Sequence, residues 1–176
     1  MATRTLHALL VTGGAALALT ACSFSIGAGG GLDFEKLQSA ITDELNKSYA
    51  PISQEVTSVE CPTDEPRPAP GATLVCTAQV ADQEIRVEST VTNEDYDVNF
   101  KTLDSLYDLP STSDTLSDEL TDQLGFPVTV TCGDGLQAVE IGSTFDCTAA
   151  DPNGEERTVR VTAGAVGEQD HWELLG

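Results

Sequence analysis

Phe34, Leu37, Ile41 and Leu45 recur at helical spacing in an otherwise polar stretch, and Leu116, Leu120 and Leu124 do the same. Each run predicts an amphipathic helix with one apolar face. Asp33 and Ser113 stand just before them and are expected to be the N-caps. After each helix the period changes to two. Leu74, Cys76, Ala78 and Val80 share one face of a strand, Ile85, Val87, Ser89 and Val91 one face of the next, and Tyr96, Val98 and Phe100 one face of a third. The second half repeats this with Phe145, Cys147 and Ala149, then Val159, Val161 and Ala163, then Trp172 and Leu174. Such alternation predicts half-buried antiparallel strands. Thr92-Asn93-Glu94-Asp95 and Asp151-Pro152-Asn153-Gly154 supply turns between them.

The parallel between the halves reaches individual residues. GATLVCTA at 71–78 returns as GSTFDCTA at 142–149. Cys61 and Cys76 are 15 residues apart, as are Cys132 and Cys147, and the copies are offset by 71. Val59 and Val130 each precede the first cysteine by two. Four cysteines allow three connectivities, and the repeat favours one bridge inside each copy, Cys61–Cys76 and Cys132–Cys147. Closing a loop of that length stabilises by about 3 kcal/mol in the chain-entropy model. The expected fold is α+β: two tandem repeats, each one helix packed on a four-stranded antiparallel sheet with one internal disulfide. A unit of this size buries little core, which gives the disulfides their purpose. The expected modules are residues 33–101 and 113–176. A linker at 102–112 carries Leu103, Leu106 and Leu109, which are placed to pack between them. The first copy holds four extra residues between helix and first strand, within YAPISQEV.

The N-terminus reads differently. One basic residue, Arg4, precedes an apolar run from Ala8 to Leu19, too short for a spanning helix of about 20 residues, so residues 1–21 are expected to be a signal peptide. Leu19-Thr20-Ala21-Cys22 resembles the bacterial lipobox, which implies diacylglycerol on the Cys22 thiol, cleavage before it and anchoring by acyl chains of the palmitate class. That use of Cys22 also resolves the odd cysteine count of an exported protein. Residues 22–32, rich in glycine and without periodicity, are expected to be a flexible tether.

Formal charge is −21 over 176 residues. Removing Arg4 with the signal peptide leaves 7 basic against 29 acidic residues. Such a surface repels nucleic acid, so the expected partners are the membrane, through Cys22, and an envelope protein. No catalytic residue, cofactor or metal site is assigned, and an enzyme is not expected. His171 is the one histidine of the mature chain and by alternation faces solvent, no G-x-S-x-G occurs, and Asn93 to Asp97 lacks the twelve-residue calcium-loop pattern. Arg86, Glu88 and Thr90, with Thr158, Arg160 and Thr162, point away from the predicted core and are the candidate contact faces.

An amphipathic helix, V-x-C, G-x-T-x-x-C-T-A and further strands, after a lipobox and SFSIG, resemble the actinobacterial domain-of-unknown-function family numbered 4333, here in two copies. Cys61-Pro62 matches the family's usual Cys-Pro, whereas Cys132-Gly133 departs from it. The resemblance implies an exported or membrane-anchored envelope protein and carries no catalytic residue over. The expected function is a non-catalytic binding or adaptor module. The alternative is a proteinaceous inhibitor of an envelope or secreted enzyme, since the layout resembles the β-lactamase-inhibitor-protein arrangement. An inhibitor presents aromatic hot spots. Tyr49, Tyr96, Tyr107 and Trp172 are the only Tyr or Trp residues, and Tyr96 and Trp172 are expected in the core.

Overall fold

A computed structural model describes residues 24–28, 30–165 and 167–175; the expected signal peptide and Cys22 lie outside them. Along the chain come β1 (Phe24–Ser25), β2 (Gly27–Ala28), β3 (Gly31–Leu32), α1 (Phe34–Tyr49), a 3-10 turn (Ala50–Ile52), β4 (Val56–Glu60), β5 (Thr73–Val80), β6 (Gln83–Val91), β7 (Asp97–Thr102) and β8 (Asp104–Asp108). Then follow α2 (Leu109–Leu124), β9 (Thr129–Thr131), β10 (Leu136–Glu140), β11 (Thr144–Ala150), β12 (Glu156–Thr162) and β13 (His171–Leu174). The fold is α+β, with antiparallel sheets ordered β1-β7-β6-β5-β4 and β13-β12-β11-β9, and short ribbons β10-β8 and β2-β3.

Each main sheet is covered on one face by a helix. In the first unit Leu37, Ile41, Leu45 and Tyr49 pack on Cys76, Ala78, Val80, Ile85, Val87, Val91 and Val98. In the second, Leu109, Leu116 and Leu120 pack on Val130, Phe145, Cys147, Ala149, Val159 and Val161. These inward sets are those that period-two alternation selects. The disulfides Cys61–Cys76 and Cys132–Cys147 form, one per unit. Glu60 pairs with Thr77 and Thr131 with Thr148, so each bridge joins residues that directly face one another across neighbouring strands, with Cα atoms 4.2 Å apart. Both bridges therefore staple an edge strand, β4 or β9, to the strand beside it.

The helices are both 16 residues long. Asp33 caps α1 by accepting from the Lys36 amide. Asp108, not Ser113, caps α2 by accepting from the Ser111 amide at 2.9 Å. Pro110 fits the first turn, where no amide partner is needed. Ser113 lies one turn inside the helix and serves a different purpose. Its hydroxyl accepts from the Cys132 amide, the Ser117 hydroxyl from Val130 and the Thr121 hydroxyl from Val128, at 2.9, 2.8 and 3.0 Å. One helical face thus supplies an acceptor every turn to alternate amides of β9 and its flanks, Val128, Val130 and Cys132, which satisfies the edge of the second sheet. In the first unit Asn46 alone does this, accepting from Val56.

Two segments differ from expectation. The described part of the tether is not a free leash. β1 pairs Phe24 with Val98 and Ser25 with Asp97, Phe24 stacks on Phe100, and Ile26 is buried in the core. The Leu32 amide donates to the Pro66 carbonyl. Phe24 and Ile26 are apolar enough to extend the sheet, and the glycines permit close approach: a Cβ on Gly27 would lie 2.5 Å from the Asp95 carbonyl oxygen. The expected linker is also structured, because residues 104–108 form β8 and residues 109–112 the first turn of α2.

β10, like β8, is a strand that alternation missed. It occupies the loop between the cysteines of the second unit. The matching loop of the first unit contains Pro62, Pro66, Pro68 and Pro70, which lack the amides a ladder requires. It forms no strand and instead clamps the tether.

Two substitutions probe these features. Ala81 opens the two-residue β5–β6 loop at φ +52°, a conformation that favours glycine. Ala81→Gly is expected to raise stability by about 0.5–1 kcal/mol in denaturant unfolding of the oxidised protein. Ser117→Ala, which strips the Val130 amide of its acceptor, is expected to cost about 1 kcal/mol in the same assay after the gain in helix propensity.

Candidate interaction surfaces

The two units meet at the β8–β10 ribbon. Ala138 pairs with Leu106, and both pack on the first core. The neighbouring Tyr107 and Val139 belong to the second core, where Tyr107 lies 4.9 Å from the Phe145 ring centroid. The ribbon is therefore shared between both units, one face each.

Polar contacts fix its position. Arg86 donates to both carboxylate oxygens of Asp104, from Nε at 2.9 Å and from Nη2 at 2.6 Å, and its backbone amide donates to the same side chain. Glu140 lies 3.4 Å from the guanidinium. Burial opposes ionisation of Asp104, but the hydrogen bonds and charge of Arg86 outweigh it and hold the carboxyl below its ordinary range. The Ala138 amide donates to the Gln83 side chain. On the other side, the Ser105 hydroxyl donates to the Gly164 carbonyl and the Tyr107 hydroxyl to Asp170.

Arg86 is therefore committed to joining the units and is not an open contact residue. Glu88 pairs with Lys101, and Arg160 binds Asp146 through two hydrogen bonds. Thr90, Thr158 and Thr162 remain half-exposed on the same outward faces. Tyr96 and Trp172, expected in the core, pack on the margins of the first and second cores. Tyr49 and Tyr107 are buried, whereas Tyr96 and Trp172 are only half-buried. Tyr49 ends α1 against the sheet, and its hydroxyl has no partner; burial, then the nearby charge of Asp104, pushes its pKa to about 12. The Trp172 indole donates to Glu119 at 2.7 Å. His171 lies on β13 and is exposed.

Two concavities stand out among the described residues. A cleft of about 460 Å³ lies between the units, lined by Ile52, Leu106, Tyr107, Glu119, Asp170 and Trp172 among others. A groove of about 340 Å³ opens at the far end of the second unit, with a floor of Leu120, Val128, Ala149 and Leu174 and a wall of Leu124 and Phe126. Phe126 is the exposed Phe, Tyr or Trp ring among the described residues. Among those residues no group of three His, Cys, Asp or Glu side chains could hold a metal ion.

A family model described as a domain of unknown function (DUF4333) matches residues 17–95 and again 107–166. The chain belongs to that family. Its two DUF4333 copies each contain one helix and one of the disulfides. No curated protein and no solved structure matches the chain. The second match starts at Tyr107, beside the Asp108 cap, five residues before Ser113. The missed cap carried a signal: Asp33 and Asp108 are 75 residues apart, as are Leu45 and Leu120.

Replacing Arg86 leaves the Asp104 carboxylate buried without its partner. Arg86→Ala is expected to cost about 2 kcal/mol at pH 7, discounted for the half-exposed guanidinium. Because the Asp104 pKa is lowered on folding, the pair's contribution is complete above the unfolded value of about 4 and is lost as pH falls through the folded one. The stability gap between wild type and Arg86→Ala, measured in urea, should therefore narrow below about pH 4.

Proposed function

We propose that this protein is an exported envelope lipoprotein, anchored through Cys22, that acts as a non-catalytic binding or adaptor module. The observation that carries this reading is the docked N-terminal segment. Ile26 is buried in the first core only four residues after the lipobox cysteine. An acyl anchor on Cys22 would hold the first unit close to the bilayer, with its sheet faces and the second unit directed by a fixed joint rather than a leash. Two oxidised cysteine pairs accord with an extracytoplasmic compartment. The finer architecture belongs to the same reading: two copies of one helix-on-four-strand unit, with β1 added to the first sheet and the β8–β10 ribbon placed between them.

The acidic surface and the absence of an obvious catalytic constellation in the sequence favour recognition of a macromolecule over turnover of a small one. Recognition by this reading uses protein surface outside the Arg86 joint, which is occupied internally.

Lipid attachment has a direct test. Cys22→Ala is expected to move the protein from the membrane fraction to the soluble fraction and to remove the acyl mass from the intact protein. A membrane-bound variant with unchanged mass would overturn the anchor. Separately, a photo-crosslinking probe at Thr90 or Thr162 in producing cells should give a recurring envelope-protein adduct. Absence of any protein adduct from all exposed faces would overturn the binding-module reading.

A further inference from the structure

The two units show what the end of such a module looks like when closed and when open. Ala78 pairs with Ile85 in the first sheet, and Ala149 with Arg157 in the second. The Leu103 amide donates to the Arg86 carbonyl, and the Leu175 amide to the Thr158 carbonyl, both at 2.8 Å. Each of these bonds sits one residue beyond Ile85 or Arg157, so the two sheet ends correspond. Tyr49 and Leu124 correspond as well, each being the last residue of a 16-residue helix.

Their surroundings are opposite. In the first unit Ile85 is 0 % exposed and Tyr49 4 %; Leu106 of β8 and Ala138 of β10 pack on the cluster that holds both, and the bonds of Ala138 to Gln83 and of Asp104 to Arg86 place the ribbon beside Ile85. In the second unit Leu124 is 42 % exposed and Phe126 42 %, and the space is the 340 Å³ groove. Arg157 stands where Ile85 stands in the first unit, paired across the rim with Glu155 at 3.2 Å. The occupied end supplies the template for the open one: an extended segment that lays an apolar side chain between helix terminus and sheet.

Charge selects among occupants. The rim carries Asp151 and Glu155 against Arg157, which Glu155 already neutralises, and the whole chain has 29 acidic against 8 basic residues. A second copy would bring the same negative surface, and its own ribbon is used within its first unit. An anionic lipid headgroup meets the same repulsion. We propose that the groove is a docking site for an extended segment of a partner protein, carrying an apolar side chain flanked by lysine or arginine. It closes the second unit as Leu106 and Ala138 close the first. This inference rests on the binding-module reading and names its surface and partner chemistry.

The test places a photo-crosslinking benzoylphenylalanine at Phe126 of the full chain in producing cells, with a second probe at Thr90 for comparison. The expected result is an adduct with one envelope protein, mapped by peptide sequencing to an apolar residue between basic ones. Leu124→Ser should reduce it about tenfold while secretion and both disulfides persist. In vitro, a disulfide-closed hairpin peptide with a Leu–Ala cross-strand pair flanked by lysines should bind about tenfold more tightly than its glutamate-flanked version. Adducts from Thr90 and none from Phe126 overturn the groove and leave the binding module standing. Adducts from Phe126 to a second copy or to lipid, or equal binding of the two hairpins, also overturn it. No protein adduct from Phe126 overturns the groove, and none from any exposed face, Thr90 and Thr162 included, overturns the binding module as well.

Discussion

Everything in the molecule that lies between its two cores depends on one ribbon of ten residues. β8 and β10 alternate like any other strands, but each face of their ribbon packs on a hydrophobic core. Leu106 and Ala138 complete one hydrophobic cluster, Tyr107 and Val139 the other. A one-residue slip would exchange the two sets and spoil both cores together. The Arg86–Asp104 pair fixes the ribbon at one end, and the Tyr107–Asp170 hydrogen bond ties it to the second unit. Tandem copies on a free linker could reorient. These cannot do so without uncovering both cores.

Small sheets have two edges each, and the chain manages them by different chemistry. β4 and β9 are stapled by disulfides to their neighbours. β9 is further sealed by the hydroxyls of Ser113, Ser117 and Thr121, a use of serine and threonine inside a helix that offsets their low propensity there. β7 is covered at one end by β1. With so little core per unit, covalent and polar closure of the edges takes over work that apolar burial performs in larger domains.

Much of this was legible in the sequence, and the failures have physical causes. Period-two alternation identified Ile85, Val87, Ser89 and Val91 because every inward residue there faces the same helix. The cysteine spacing identified both bridges. Alternation could not identify β8, since Asp104-Ser105-Leu106-Tyr107-Asp108 puts an apolar residue on each face and so resembles a linker. The tether was misread because glycine content signals freedom in an isolated chain, whereas Gly27 and Gly31 here allow close approach to Asp95 and Pro66. Ser113 was a plausible cap by residue type; its role as an acceptor for Cys132 depends on a strand brought to it by the tertiary fold. The departure of Cys132-Gly133 from Cys-Pro proved informative, because a proline-free loop is what allows β10 to pair.

The cross-strand bridges and the docked N-terminal segment also set how the chain answers a mechanical load. Under tension from its two ends, each disulfide short-circuits a 15-residue loop, so those residues add no length however far a unit unravels. Residues 24–28 and 30–32 have no such lock. They are held by two strand pairs, a few backbone bonds and the burial of Ile26 and Leu32. They form the compliant part of the molecule: peeled from β7, they can reach at most about 30 Å before either unit bears the load.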